Sequence, residues 1–385
     1  MKNYSTSGDA LRAARPSDAG DISRLLRLAF GFDERRAAEY VGHAGISAFH
    51  VWDDDAGRPL ACAALLATAH AFGSGEVPAA SIAHLAIAPE ARGQGLARPL
   101  VAALCDRARD GGAAMVSLFA SARPVYRKCG FELAGSEMVY EADLSAVPLR
   151  SEAAFAAIDP RDPRIAAAYR RRAAIEAGLI RRGAVHWSEL LRPPVDGLAA
   201  YGVGGGDLDA YVVLDAQDEA CLQVRDWFAA DGAAATALLA FLGRFRSVYP
   251  VARWHGGPRD DLVGAMPDKG WRLVHQEDWL ASILDPRAAL VARRYLPERA
   301  TLGLRLEGEA DLVLDIDDGA GRVTEGGRER APTVTVQRAA FASLFTGFRS
   351  ATALAWQGVL KGDDRALRTC DLAFAGPAPW VAEHF

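Results

Sequence analysis

Apolar positions along the chain switch repeatedly between a helical period of 3.6 and a strand period of 2, so the pattern predicts successive mixed α/β units. Ile22, Leu25, Leu26 and Ala29 share one helical face, with Asp18 placed to cap the helix and Gly31 to stop it. Strand-like runs follow at 47–52 and 60–69. Residues 81–88 read as a buried strand that enters a Gly-rich turn, then a helix over 96–109 and a strand over 113–119. A short helix at 125–129 and a final strand from Phe131 complete a first unit ending near residue 145.

The stretch to about residue 285 repeats that order of elements without repeating the sequence. Helical patterns cover 161–177 and 184–191, strands 209–214 and 220–228, then a helix 233–246 and strands near 251–254 and 271–283. Pro193-Pro194 and Gly204-Gly205-Gly206 read as loop punctuation. A third unit opens with a helix over 286–295. It continues in strands near 301–306, 312–316 and 333–336 and helices over 338–345 and 365–371. Its last residues, Pro377-Ala378-Pro379-Trp380-Val381-Ala382-Glu383-His384-Phe385, hold two stiffening prolines and two aromatic rings able to dock. Three domains are therefore expected, at 1–145, 146–285 and 286–385.

Composition narrows the function classes. With 385 residues, 50% hydrophobic and 24% charged, the chain is long enough for several cores and too apolar for disorder. No run approaches the ~18 apolar residues of a membrane helix, and the start, Met1-Lys2-Asn3-Tyr4-Ser5, lacks an apolar signal region, so a cytoplasmic protein is expected. The five cysteines and eight histidines are dispersed, without metal-ligand spacing, so no metal site is expected. Only four of the 44 basic residues are lysines, and the arginines form no stripe. With a net charge of −5, this argues against nucleic acid and mildly favours cationic ligands.

The informative stretch is residues 82–97, where a strand runs through Pro89 into Arg92-Gly93-Gln94-Gly95-Leu96-Ala97 and a helix start. Glycines there let a backbone approach a ligand, and the helix N-terminus behind them offers unpaired N–H groups and about half a positive charge. Such a turn cradles a pyrophosphate. It fits neither G-x-x-x-x-G-K-[ST] nor G-x-G-x-x-G. It fits [QR]-x-x-G-x-[GA], which resembles the acetyl-CoA motif of the GNAT acetyltransferases, and Tyr126 in Val125-Tyr126-Arg127-Lys128-Cys129-Gly130-Phe131 is similar to that superfamily's Y-x-[RK]-x-G-F segment. Residues 72–78, 285–290 and 374–377, with Pro379-Trp380 and Phe385, extend the resemblance to the Eis (enhanced intracellular survival) family over nearly the whole chain.

The resemblance implies tandem GNAT folds, the second degenerate, followed by a domain like a sterol carrier protein. Consistent with degeneracy, the turn at Ala230-Asp231-Gly232-Ala233 has no arginine and one glycine. It implies acetyl-CoA as co-substrate, held by the backbone around Leu85, Ala86 and Ile87, by Arg92, Gly93, Gln94, Gly95, Leu96 and Ala97, and by Ser121. Tyr126 is implied as the acid that protonates the leaving thiolate, and the α-carboxylate of Phe385 as the base. Phe30, Asp33, His84 and Glu383 are implied on the acceptor side, and a homo-oligomer, hexameric in that family, is implied as the assembly. The acceptor is expected to be a small cationic amine, an aminoglycoside among the candidates. Protein or peptide amines are the alternative, and a non-catalytic lipid carrier is the reading from another class. Two departures bear on the acceptor: Gly93-Gln94 stand where the aminoglycoside-acetylating relatives carry an arginine-rich run, and 30–40 match them poorly.

Overall fold

The computed structural model describes residues 11–147, 151–192, 197–218, 220–327 and 331–385. The readings made on residues 1–5 and on Pro193-Pro194 lie outside them. Thirteen strands form one sheet: β1 (Leu11–Ala13), β2 (Phe49–Asp53), β3 (Pro59–Phe72), β4 (Gly75–Ile87), β5 (Met115–Phe119), β6 (Glu132–Asp143), β7 (Ala156–Ile158), β8 (Ala177–Ile180), β9 (Ala199–Gly204), β10 (Leu208–Asp215), β11 (Cys221–Ala229), β12 (Val251–His255) and β13 (Trp271–Ile283). Their order is β1-β2-β3-β4-β5-β13-β6-β12-β11-β10-β9-β7, with β8 paired to β3 off this path.

The strand from Phe131 exists, but it does not complete the first unit. β13 lies between β5 and β6, antiparallel to both, and β6 then pairs with β12. Each unit thus gives its last strand to the other. Periodicity reveals a strand's faces, not its neighbours, so the exchange is invisible in the sequence.

Helices α1 (Ala19–Phe30), α2 (Glu34–Ala44), α3 (Ala97–Asp110), α4 (Arg123–Arg127), α5 (Pro163–Ile175), α6 (Ala184–Leu190), α7 (Gly232–Leu242) and α8 (Asp261–Gly264) cover the sheet. Gly31 ends α1 at φ 68° as expected, whereas Asp18 makes no capping bond. Its carboxylate instead accepts from the Arg15 N–H and from Arg12, both at 2.6 Å. The unforeseen α2 is capped by Asp33, which accepts the Arg36 N–H at 2.7 Å, and buries Ala37, Tyr40 and Val41.

The third unit holds a second sheet, ordered β16-β15-β14-β17-β18, from β14 (Ala300–Leu306), β15 (Leu312–Asp317), β16 (Ala320–Glu325), β17 (Thr333–Val336) and β18 (Leu360–Lys361). Around it lie α9 (Pro286–Ala292), α10 (Phe341–Thr346), α11 (Ala351–Trp356) and α12 (Asp364–Ala373). One apolar core runs from α1 and β4 into this unit through Phe72, Phe341, Phe345 and Phe374. Arg293 sits inside it, donating to the carbonyls of Phe345 and Phe374 among the rings of Phe72, Tyr295 and Phe345; burial lowers its pKa to about 10.

From the third unit the chain returns to the large sheet. Val381 N–H donates to Ser136 O (3.1 Å) on β6, and Trp380 N–H to Ala177 O (2.9 Å) on β8. The Trp380 indole, fully buried, donates to Glu176 at 3.0 Å. Glycine makes the approach possible: a Cβ on Gly178 (φ 95°) would lie 2.5 Å from Trp380 O, and one on Gly135 2.6 Å from Pro379 O.

Candidate functional site

Strands β4 and β5 run parallel but pair only over Ala79–Ser81 and Met115–Ser117. Beyond Ser81 they splay, which leaves one edge of β4 open from Ile82 to Ile87. A bulge sits there: Cys62 and Ala64 of β3 oppose Ala86 and Ala83, so His84 and Leu85 together face one residue. His84 takes φ 51°, unusual for a residue with a side chain. The strand then enters the glycine turn, where Gly93 and Gly95 have φ 73° and 84° and a Cβ would point into open space. Leu96 holds the N-cap position of α3 without a side-chain cap bond. An open strand edge therefore leads into an uncapped helix N-terminus, a shape that takes an extended ligand with an anionic end.

The other residues implied for this cleft are spread around it. Ala86 and Leu96 turn buried side chains into the cores, so only their backbones can meet a ligand. Arg92 folds back onto Ile87 O (3.0 Å) and Leu28 O (3.4 Å), and Gln94 donates to Glu90 O (2.6 Å). Tyr126 is buried on α4, with Ser121 in hydrogen-bonding reach. Burial raises its pKa, so the phenol keeps its proton at neutral pH.

On the other side of the sheet lies a cavity of about 610 Å³, built from four parts of the molecule: α2 and β4, β6, the second unit's α6, β11 and β12, and residues 382–385. Phe385 is buried, its ring 5.3 Å from Phe119 at the end of β5. His84 packs among Phe30, Phe32 and Tyr40, with the Tyr40 ring 4.2 Å away, and burial lowers its pKa to about 4, so it is neutral. Phe30 touches the His84 ring from outside, is exposed, and is not among the lining residues. Asp33 serves as the α2 cap and is not among the lining residues. Glu383 lines the cavity but is ion-paired with Arg182, which is also bidentate to Asp226 in the buried interior.

Several lining residues were not singled out in the sequence. Arg36 pairs with Glu189 at 2.5 Å and lies over the Phe32 and Tyr40 rings. Glu137 of β6 is buried between His384 (2.8 Å) and His255 (3.3 Å). Burial opposes its charge, but the facing imidazoles of His384 and His255 prevail and bring its pKa to about 2. Glu277 lies 3.8 Å from His384. Donor atoms of Glu137, Glu277 and His384 fall within 4.8 Å of one another, yet Glu137 and His384 satisfy each other directly, so the arrangement is a hydrogen-bonded pair with a neighbouring carboxylate. Nothing local set Glu137 apart, since its strand also carries Glu132, Ser136, Glu141 and Asp143.

Ten buried side-chain polar atoms among the described residues lack a hydrogen bond, and six belong to residues lining this cavity: Tyr40, His84, His186, Arg192, His255 and Glu383. An unmet buried polar atom costs ~1–3 kcal/mol, so this concentration marks a place where a polar ligand or water completes the bonding.

Comparison with known proteins agrees with this anatomy. Residues 10–134 and 178–283 each match an acetyltransferase (GNAT) domain, and residues 287–382 a sterol carrier protein domain. The chain is 27% identical over 339 residues to the N-acetyltransferase Eis of Mycobacterium tuberculosis, covering 79% of this chain and 80% of that protein. A GCN5-related N-acetyltransferase from Anabaena variabilis superposes with a TM-score of 0.91 at 24% identity, covering 97% of this chain and 99% of the other. One from Kribbella flavida does so with a TM-score of 0.84 at 25% identity, covering 97% and 98%. No described helix is long and apolar enough to cross a membrane. These matches, with one sheet splayed at two places, exchanged last strands, one glycine turn and a third unit that returns to the shared cavity, make the chain an Eis-like member of the GNAT acetyltransferase family, an acyltransferase.

Proposed function

We propose that this enzyme transfers the acetyl group of acetyl-CoA to a primary amine of a small polar acceptor held in the central cavity. The supporting observation is the placement of an open β4 edge and uncapped glycine turn across the sheet from a cavity rich in unpartnered polar atoms. In this reading the pantetheine arm adds to β4 near Leu85 and Ile87, and a backbone N–H beside the bulge polarises the thioester carbonyl. Backbone N–H groups of Gly93–Ala97 take the pyrophosphate, with Arg92 and Gln94 at its rim and Ser121 against the thiol end. Tyr126, kept protonated by burial, donates to the departing thiolate. The α-carboxylate of Phe385 meets the acceptor amine, and Phe32 and Tyr40 wall the cavity around His84.

A cavity of this volume suits a small molecule better than a folded protein. Five carboxylates, those of Glu137, Glu189, Asp215 and Glu383 and the α-carboxylate of Phe385, face four arginines, Arg36, Arg192, Arg225 and Arg253, an excess of one negative charge. An acceptor with few ammonium groups fits this balance better than a polycation, so an aminoglycoside is a demanding test of the reading. The test is thiol release from acetyl-CoA against aminoglycosides, polyamines, simple amines and peptides. Wild type should turn over at least one small amine, and Tyr126→Phe should lower kcat about 100-fold with little change in KM for acetyl-CoA. No turnover and no CoA binding would end this proposal. Light scattering tests the homo-oligomer, a hexamer by resemblance.

A further inference from the structure

An attacking amine must lose a proton, and a terminal carboxylate with an ordinary pKa near ~3.5 is a poor acceptor for it. The cavity holds a better group one residue earlier. His384 donates Nδ1–H to Oε2 of Glu137 at 2.8 Å, and its ring stacks on Phe119 at 4.3 Å and 18°. Glu137 is itself almost fully buried, held on β6 with His255 on its other side. With Nδ1 bound, Nε2 is left for the cavity, which His384 lines with a half-exposed side chain. A carboxylate that fixes the tautomer and orientation of an imidazole, leaving its second nitrogen towards the substrate, is the arrangement of a general base.

We propose that His384 is the catalytic base of acetyl transfer and Glu137 the positioning residue that aims it; this rests on the transferase reading above. An acceptor ammonium gives one proton to Nε2 of His384, and the neutral amine attacks the thioester carbon. The N–C bond forms, the C–S bond breaks, and the thiolate takes the proton of Tyr126. The phenolate is reprotonated by the second proton lost from nitrogen, and His384 sheds the first to solvent. Phe385's carboxylate then binds the ammonium and need not hold its proton.

The hydrogen bond to Glu137 raises the pKa of His384 above its ordinary 6.5. The groups facing it are Glu137 from β6, Glu277 from β13, His84 from β4, His255 through Glu137, and the neighbouring Phe385 carboxylate. A base works when neutral, so activity should rise with pH through an ionisation above 6.5. The neutral imidazole still donates Nδ1–H to Glu137, so the aim is kept on the active limb.

The experiment measures kcat/KM against pH for wild type, His384→Ala, His384→Gln and Glu137→Gln, with an acceptor whose own amine titrates outside the window. Thermal melts check that each variant folds. His384→Ala and His384→Gln should lose on the order of 100-fold or more and lose the limb. Glu137→Gln should move the limb towards lower pH. Added imidazole should restore part of the activity of His384→Ala, which it would not do for a merely structural side chain. Retention of wild-type kcat by a folded His384→Ala while Tyr126→Phe is impaired would overturn the base assignment and leave the transferase reading intact. So would loss of activity without imidazole rescue and with an unmoved limb in Glu137→Gln. Absence of turnover by wild type with every amine would instead remove the underlying reading.

Discussion

The two GNAT units have the same strand plan, yet only one keeps its cleft. In the second, β11 and β12 pair over Cys221–Val224 and Val251–Trp254 and then diverge, as β4 and β5 do. Even the bulge persists, since Val213 and Leu214 of β10 oppose Asp226 and Val224 and leave Arg225 extra. What differs is the contents. The Trp227 indole donates to His255 O at 2.9 Å, tying the two diverging strands together. Arg172 lies over both Trp227 and Trp380. At the helix start Asp231 accepts the Ala234 N–H at 2.8 Å, so a built-in carboxylate sits where the first unit leaves its helix uncapped. The fold alone does not make a cofactor site; an unfilled splay and an uncapped N-terminus do.

This contrast can be broken by experiment. Trp227→Ala should be the most damaging change, costing ~3–5 kcal/mol by melting or denaturant titration, because a large buried ring and its bridge are both lost. Calorimetry should still count one acetyl-CoA per chain; a second equivalent bound would show that the splay was merely blocked. Gly95→Val should weaken acetyl-CoA binding at least ~100-fold, or about 2.7 kcal/mol, since φ 84° excludes a β-branched residue and the loop must refold. The matching change in the other unit, Gly232→Ala, has an ordinary φ and open space, and should leave binding unchanged. Asp231→Ala should have the smallest effect, about 1 kcal/mol of stability from the lost cap, with kcat untouched.

The turn was legible in the sequence because its information is local: Gly93, Gly95 and the apolar strand before them are contiguous, and Tyr126 follows shortly after. Most elements were legible for the same reason, down to the bounds of β13. Helix α2 was missed although Asp33, Ala37, Tyr40 and Val41 carry its signature, because Gly42 and Gly45 crowd its end and Asp33 was read as chemistry when it is a cap. The cavity was illegible because no segment contains it. Arg36, Glu137, Glu189, His255 and His384 meet through the strand exchange and the returning tail, and each alone resembles an ordinary surface residue. The tail's seat was written in Gly135 and Gly178, but a glycine in a strand does not say what approaches it.

The exchanged strands also set an order for synthesis. While a ribosome is still making residues 144–270, β5 and β6 have appeared but their common partner, β13, has not. For most of that interval the nascent first unit must hold open one edge of β5 and both edges of β6, whose other partner β12 is also still to come, and an open edge invites aggregation. Contacts of such long sequence separation form slowly. Neither unit cut out alone should therefore be a tractable domain, and the enzyme should fold as one cooperative body. Its dependence on chaperones should fall when Glu132–Asp143 is supplied with β13 early, as in a circular permutant that begins near residue 271.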